Sequence, residues 1–433
     1  MSQDPQDPQR RQDWIETYEF QEGVAASGPA EFQQVGVLKI GSPDAGRVLV
    51  LVGGREGGAA VFKHAARSLA GASEDLQVWA VDRREQNLAD LSGFARSPEQ
   101  ATEYYLGGHY TAREQAESPF AASWGLEVLV EDLRRVVQAA SDGGRREVIL
   151  GGVSVGATAA LLYAGWDFDG TPGYRDLAGL AVVDGGVLNA YSGAGMEFDL
   201  PLPAAEGWLG AIEGGAVFED FTSTTVGLGT RPEDAAVWFQ LAAVHAVADP
   251  DAPAVLADRL PETVRTDRKL TNAGLLGYLF DASRAHPSFS VNAGTLEGGG
   301  SWTDGGPTRL ATVAEAFAGP VPSAWLWYTL NRVLLDYVAG MPFTETDVTK
   351  RLGLRLSHTA EIDIPLYAFQ SGLTNGTTGQ AAAAVTAASR IPELSLHSDA
   401  ALSHQDVVYA EWDDNRFLQT LSQFLRNLPR RAH

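Results

Sequence analysis

Two hydrophobic rhythms divide the chain. Between residues 47 and 186, short continuous apolar runs alternate with stretches whose apolar residues recur every three or four positions. "RVLVLVGG" (47–54), "LQVWAVD" (76–82), "REVILGG" (146–152) and "LAGLAVVDGG" (177–186) have the uninterrupted character of strands buried on both faces. Between them, "GGAAVFKHAARSLAG" has helical spacing. In "WGLEVLVEDLRRVVQAA" (124–140), Leu126, Leu129, Val130, Leu133, Val136, Val137 and Ala140 share one helical face. Glu131 and Arg135 are expected to pair at i,i+4 on the opposite face. Upstream, "WIETYEF" and "EFQQVGVLKIG" flank a glycine- and proline-containing turn and predict an antiparallel strand pair.

The rhythm stops near Gly186 and resumes at "IPLYAFQSG" (364–372), followed by a helix-like "GQAAAAVTAASR", a strand at "PELSLH" and a closing amphipathic helix "RFLQTLSQFLRNL". The stretch between is rich in glycine, alanine and tryptophan (Trp208, Trp238, Trp302, Trp325, Trp327). There, "EDAAVWFQLAAVHAVA" and "SAWLWYTLNRVLLDYVAG" read as helices and "GTLEGGGSWTDGGP" as a loop. The pattern predicts an α/β protein with a mostly parallel, doubly wound sheet and a large, mainly helical insertion. Its expected organisation is a disordered tail at 1–13, a core formed by 14–186 and 361–433, and a cap or lid at 187–360.

Composition narrows the chemistry. The chain has no cysteine, which removes disulfides, thiolate metal sites and a cysteine nucleophile. A formal charge of −23 disfavours a nucleic-acid partner, because a polyanion would be repelled. No apolar run approaches the roughly 18 residues of a membrane span. The polar start "MSQDPQDPQRRQDW" lacks the apolar segment of a signal peptide, so a cytoplasmic location is expected.

"VILGGVSVGATAALLYA" (148–164) is a strand, a glycine turn and a helix. A phosphate loop needs lysine after its last glycine, but Gly156 is followed by Ala157 and Thr158. The glycines at 151, 152 and 156 also miss the dinucleotide spacing. The segment Gly152-Val153-Ser154-Val155-Gly156 fits G-x-S-x-G, in which a serine is presented at a sharp strand-to-helix turn. Glycines two residues either side relieve the contacts of that turn, and the helix starting at Val155 points its amides toward a developing oxyanion.

Ser154 needs a base. His404, in "ALSHQDVVYA" after the last strand, lies in a loop able to fold back over it. His397 falls within that strand, His64 in the first helix, and His245 and His286 in the insertion, while His109 and His358 are minor candidates and His433 is the chain end. The loop after the strand ending near Gly372, "SGLTNGTTG", contains no carboxylate, so Asp184 at the end of "LAVVDGG" is the expected acid. Asp399 and Asp406 are the fallbacks. The glycine loop "LVGGREGGAAVF" offers a second oxyanion donor beside the Val155 amide: that of Arg55, or alternatively Gly54.

These residues resemble the α/β-hydrolase fold superfamily, in its lipase- and esterase-like branches, over 14–186 and 361–428. The resemblance implies a serine nucleophile with Ser154, Asp184 and His404 in the family's serine–acid–histidine order, an acyl-enzyme intermediate and no cofactor. Val153 stands where many members have histidine, and "VGGREGG" replaces the common His-Gly pair. The expected activity is hydrolysis of a small apolar carboxylic ester. The alternatives are a binding protein without turnover and another acyl-transfer enzyme, an acyltransferase or peptidase, on the same fold.

Overall fold

The computed structural model describes residues 14–430. The expected tail at 1–13 lies outside the described residues, as do 431–433. Eight strands form the main sheet: β1 (Ile15–Glu22), β2 (Gln34–Gly41), β3 (Arg47–Val52), β4 (Leu76–Asp82), β5 (Glu147–Val153), β6 (Gly179–Val183), β7 (Leu366–Gln370) and β8 (Leu394–Ser398). Their spatial order is β1-β2-β4-β3-β5-β6-β7-β8. β1 and β2 are antiparallel, as are β2 and β4, and every later pairing is parallel. All residues of β3, β4, β5 and β6 are buried, which is why these strands read as unbroken apolar runs.

The longer helices are α1 (Lys63–Gly71), α2 (Pro98–Leu106), α3 (Leu126–Ser141), α4 (Val155–Gly165), α5 (Leu202–Glu213), α6 (Asp234–Ala248), α7 (Asn272–Phe280), α8 (Leu310–Ala318), α9 (Asn331–Gly340), α10 (Thr377–Ala388) and α11 (Arg416–Asn427). The β3–α1–β4 crossover runs along the sheet in one direction and the β5–α4–β6 crossover in the other. Right-handed crossovers of opposite direction place their helices on opposite faces. α11 packs with α1, and α3 packs with α4. The predicted face of α3 is buried at all seven apolar positions. Its polar face differs from expectation, because Glu131 pairs with Arg355 at 3.3 Å while an Arg135 guanidinium nitrogen is 3.5 Å from the Glu22 carbonyl.

Helices α5–α9 lie between β6 and β7, with α6 packed on α7 and α8. Two details of this stretch correct the sequence reading. Only Asn331–Gly340 of "SAWLWYTLNRVLLDYVAG" is helical. The backbone before it bonds to the loop after β3: Gly58 N–H donates to Ala324, Ala60 N–H to Ser323, and Leu326 N–H to Glu56 at 2.6 Å. Those exchanges occupy the groups that a helix would have paired internally. The expected loop at 294–307 contains a short hairpin, Gly294–Leu296 against Trp302–Asp304.

Arg47 anchors the end of the central strands remote from the serine turn. Its Nε bonds Glu147 at 2.8 Å, and its terminal nitrogens donate to the carbonyls of Leu425 (2.5 Å) and Leu428 (2.6 Å) at the end of α11. Arg47→Met is expected to destabilise the protein by about 3 kcal/mol in urea unfolding, because it removes the donor of two buried carbonyls and the nearer cation of Glu147, which keeps Arg430 at 3.7 Å. A change below about 1 kcal/mol would contradict that role.

Candidate active site

Four loops leave the carboxyl ends of β3, β5, β6 and β8 and meet around one cavity at that end of the sheet. At the end of β5, Ser154 adopts φ 57° and ψ −129°, a combination rarely populated by residues with a Cβ. The neighbouring glycines explain how this is accommodated. A Cβ on Gly152 would lie 2.2 Å from the Gly156 backbone, and one on Gly156 would lie 2.2 Å from the Val52 carbonyl. A Cβ on Gly185 would be 2.2 Å from the Ser154 carbonyl. The turn is held by Ser154 N–H donating to Val183 O at 2.8 Å.

Asp184 follows β6 with its own N–H on Phe369 O at 2.9 Å, and it is fully buried. His404 Nδ1 lies 3.0 Å from Asp184 Oδ2, and the histidine is 5% exposed. A carboxylate only accepts, so Nδ1 donates in this contact, and in a neutral imidazole Nε2 is then the acceptor. Ser371 completes the arrangement: its N–H donates to Asp184 Oδ1 at 2.5 Å and its hydroxyl to Oδ2. The loop that lacks a carboxylate thus holds the carboxylate of the neighbouring strand.

The fallback acids are engaged elsewhere. Asp406 accepts from Asn292 N–H (2.9 Å), Asn292 Nδ2 (2.7 Å), Thr308 Oγ1 (2.7 Å) and Ser403 N–H (2.8 Å), tying the His404 loop to the insertion. Asp399 accepts from Ala401 N–H. The other described histidines have separate settings: His64 on Ala410 O, His245 on Thr102, His358 beside Glu361 and His397 on Ser395. His109 is exposed near Glu103, whereas His286 lines the same cavity as His404.

That cavity, about 650 Å³, is lined by both Ser154 and His404. Ser154 Oγ makes no hydrogen bond to a described residue, His404 included, and faces the cavity. Apolar lining comes from Met196, Phe198, Phe221, Phe289, Trp325 and Val408. Of the five tryptophans noted in the insertion, Trp325 alone lines it among the described residues. Trp327 instead packs against Phe94, Tyr105 and Tyr110.

The loop after β3 passes beside Ser154, since a Cβ on Gly54 would come within 3.6 Å of Ser154 Oγ. Arg83, buried and paired with Glu85 at 2.6 Å, donates to the carbonyls of Gly54 (2.8 Å) and Arg55 (2.5 Å). The peptide is planar and trans, so fixing the Gly54 carbonyl on Arg83 aims the Arg55 N–H the opposite way. Among the described residues, neither the Arg55 amide nor the Val155 amide at the start of α4 has an acceptor. Sequence reading missed Arg83 and Ser371, whose partners are brought to them only by strand pairing.

No family model and no curated protein matches this chain in sequence. Its structure is similar to that of a provisionally assigned lipase from Sulfolobus solfataricus, with TM-score 0.56 and 16% identity, covering 96% of this chain and 95% of that one. A soluble variant of monoglyceride lipase from Saccharomyces cerevisiae aligns with TM-score 0.44 and 10% identity over 98% and 99% of the two chains. An epoxide hydrolase from an endophytic Streptomyces aligns with TM-score 0.45 and 16% identity over 96% of each.

The glycine contacts predict that Gly156→Ala will lower the melting temperature by several degrees or prevent folding, because backbone carbonyls cannot retreat. Gly207→Ala in α5, where an added Cβ meets nothing within 4 Å, should be neutral or slightly stabilising. Equal melting temperatures for the two variants would contradict the packing account.

Proposed function

Because this chain has the α/β-hydrolase fold, with a mostly parallel eight-stranded sheet, we propose that it is a serine hydrolase acting on carboxylic esters with apolar substituents. The observation that carries the reading is the 3.0 Å His404–Asp184 contact at a cavity shared with the strained Ser154 turn. His404 Nε2 takes the Ser154 proton as Oγ attacks the ester carbonyl. The amides of Arg55 and Val155, both without acceptors among the described residues, take the oxyanion of the tetrahedral intermediate. Its collapse breaks the bond to the alcohol oxygen, which receives the proton from His404 and leaves an acyl-Ser154. Water, deprotonated by the same imidazole, repeats the sequence and releases the carboxylic acid.

Asp184 fixes the tautomer that makes Nε2 a base and stabilises the imidazolium, and Ser371 holds Asp184 in place. The apolar lining of the cavity favours an uncharged, hydrophobic portion of the substrate. On this reading the protein takes a small-molecule ester and requires no cofactor. No helix among the described residues is long and apolar enough to cross a membrane. The expected cytoplasmic location is part of the same proposal.

Hydrolysis of p-nitrophenyl butyrate should fall about 10³-fold or more in both Ser154→Ala and His404→Ala, with the fold retained by circular dichroism. Undiminished hydrolysis in Ser154→Ala would exclude this mechanism. Arg83→Lys keeps the buried charge beside Glu85 but cannot bridge two carbonyls with a planar fork. It is therefore expected to lower kcat about ten- to hundredfold with little change in KM. A rise in KM alone would assign Arg83 to substrate binding rather than to the oxyanion loop.

A further inference from the structure

Glu56 lines the cavity of Ser154 and His404, yet the proposed hydrolysis does not use it. It is only 9% exposed. Its one side-chain donor among the described residues is the Thr222 hydroxyl, which bonds Oε1 and orients the carboxylate. Glu219 lies nearby, and the Arg55 guanidinium faces this pair. Arg55 is 3.3 Å from Glu219 and rests over the Phe221 ring at 4.7 Å. Arg83, paired with Glu85, also faces Glu56, so this end of the cavity holds three carboxylates (Glu56, Glu85 and Glu219) against two guanidinium groups (Arg55 and Arg83).

Burial pushes the Glu56 carboxyl up to about 7. A desolvated carboxylate facing a cavity is unfavourable unless something cationic or hydrogen-bonding meets it. Gly54 approaches Ser154 Oγ to within 3.6 Å of its would-be Cβ, and Glu56 is two residues on, at most about 7 Å further by Cα positions. Glu56 and Ser154 thus line one cavity within reach of a single small substrate.

We propose that Glu56, oriented by Thr222, receives a protonated amine on the substrate, so that amine-bearing esters are preferred over neutral ones of the same shape. This inference rests on the serine-hydrolase reading of the same cavity. The amine N–H donates to the carboxylate of Glu56, while the ester carbonyl sits between Ser154 and the amides of Arg55 and Val155. The bond is charge-assisted and shielded from water, the setting in which such contacts discriminate best.

The test uses paired p-nitrophenyl esters whose acyl chains end in dimethylamino or in the isosteric isopropyl group, separated from the carbonyl by two to five methylenes. A second set places the two groups on the alcohol side. At pH 8, where Glu56 is ionised, the wild-type ratio of kcat/KM, amine over isopropyl, should exceed about ten for at least one spacing. Glu56→Gln keeps an acceptor for Thr222 but removes the charge, and should lower that ratio about tenfold. A wild-type ratio near one at every spacing, or a ratio unchanged in Glu56→Gln, would overturn the proposal and leave Glu56 as a tie to the Thr222 segment. Calorimetric titration of the same pairs into Ser154→Ala protein reads binding without turnover. Amine-selective binding there, with no hydrolysis by the wild type, would sink the hydrolase reading and keep the amine site; hydrolysis without amine selectivity would do the reverse.

Discussion

Everything at the candidate site depends on one backbone constraint, the positive φ of Ser154 at the β5–α4 junction. Holding a serine there costs on the order of 1–3 kcal/mol, and the surrounding packing must supply it. Gly152, Gly156 and Gly185 supply room by letting three backbones approach where any Cβ would collide. The fully buried strands on either side supply rigidity. The result is a hydroxyl without a hydrogen-bond partner among the described residues, at the mouth of a helix whose first amide is also unpaired. Strain, exposure and electrostatics are therefore consequences of one turn.

Two further layers fix the groups around it. On one side, Asp184 is held by both the N–H and the hydroxyl of Ser371 and reaches His404 from β6. Asp406 then fastens the His404 loop to the insertion through Asn292 and Thr308. On the other side, Arg83 holds the two carbonyls of the loop after β3, and the segment before α9 pairs with that loop's backbone. The chain between β6 and β7 thus contributes directly to the site's rigidity as well as to its lining. In the proposed reaction, the base and the oxyanion donors are positioned by separate networks that share no side chain.

Much of this was legible in the order of residues. Continuous apolar runs identified the buried strands, and Gly-Val-Ser-Val-Gly between strand and helix identified the turn. The absence of a carboxylate in "SGLTNGTTG" pointed to Asp184, and the structure places Asp184 against His404. What stayed hidden depends on contacts across strands. Arg83 is an ordinary residue after β4 until β3 is laid beside β4, and Ser371 is an ordinary loop serine until β7 is laid beside β6. The segment "SAWLWYTL" misled by composition, because its apolar residues suit a helix while its backbone is committed to residues 56–60. Glu56 was passed over as part of a glycine turn, since neither its burial nor Thr222, 166 positions away, can be read from local pattern.

The central claim is that Ser154 is activated by the folded site and not by its sequence context. Treatment with a fluorophosphonate, followed by mass mapping of the tryptic peptide spanning residues 147–175, tests it directly. A single adduct on Ser154 in the native protein, lost when the protein is unfolded before labelling, is the predicted result. No adduct on the native protein, or an adduct on another serine with Ser154 unmodified, would contradict the account.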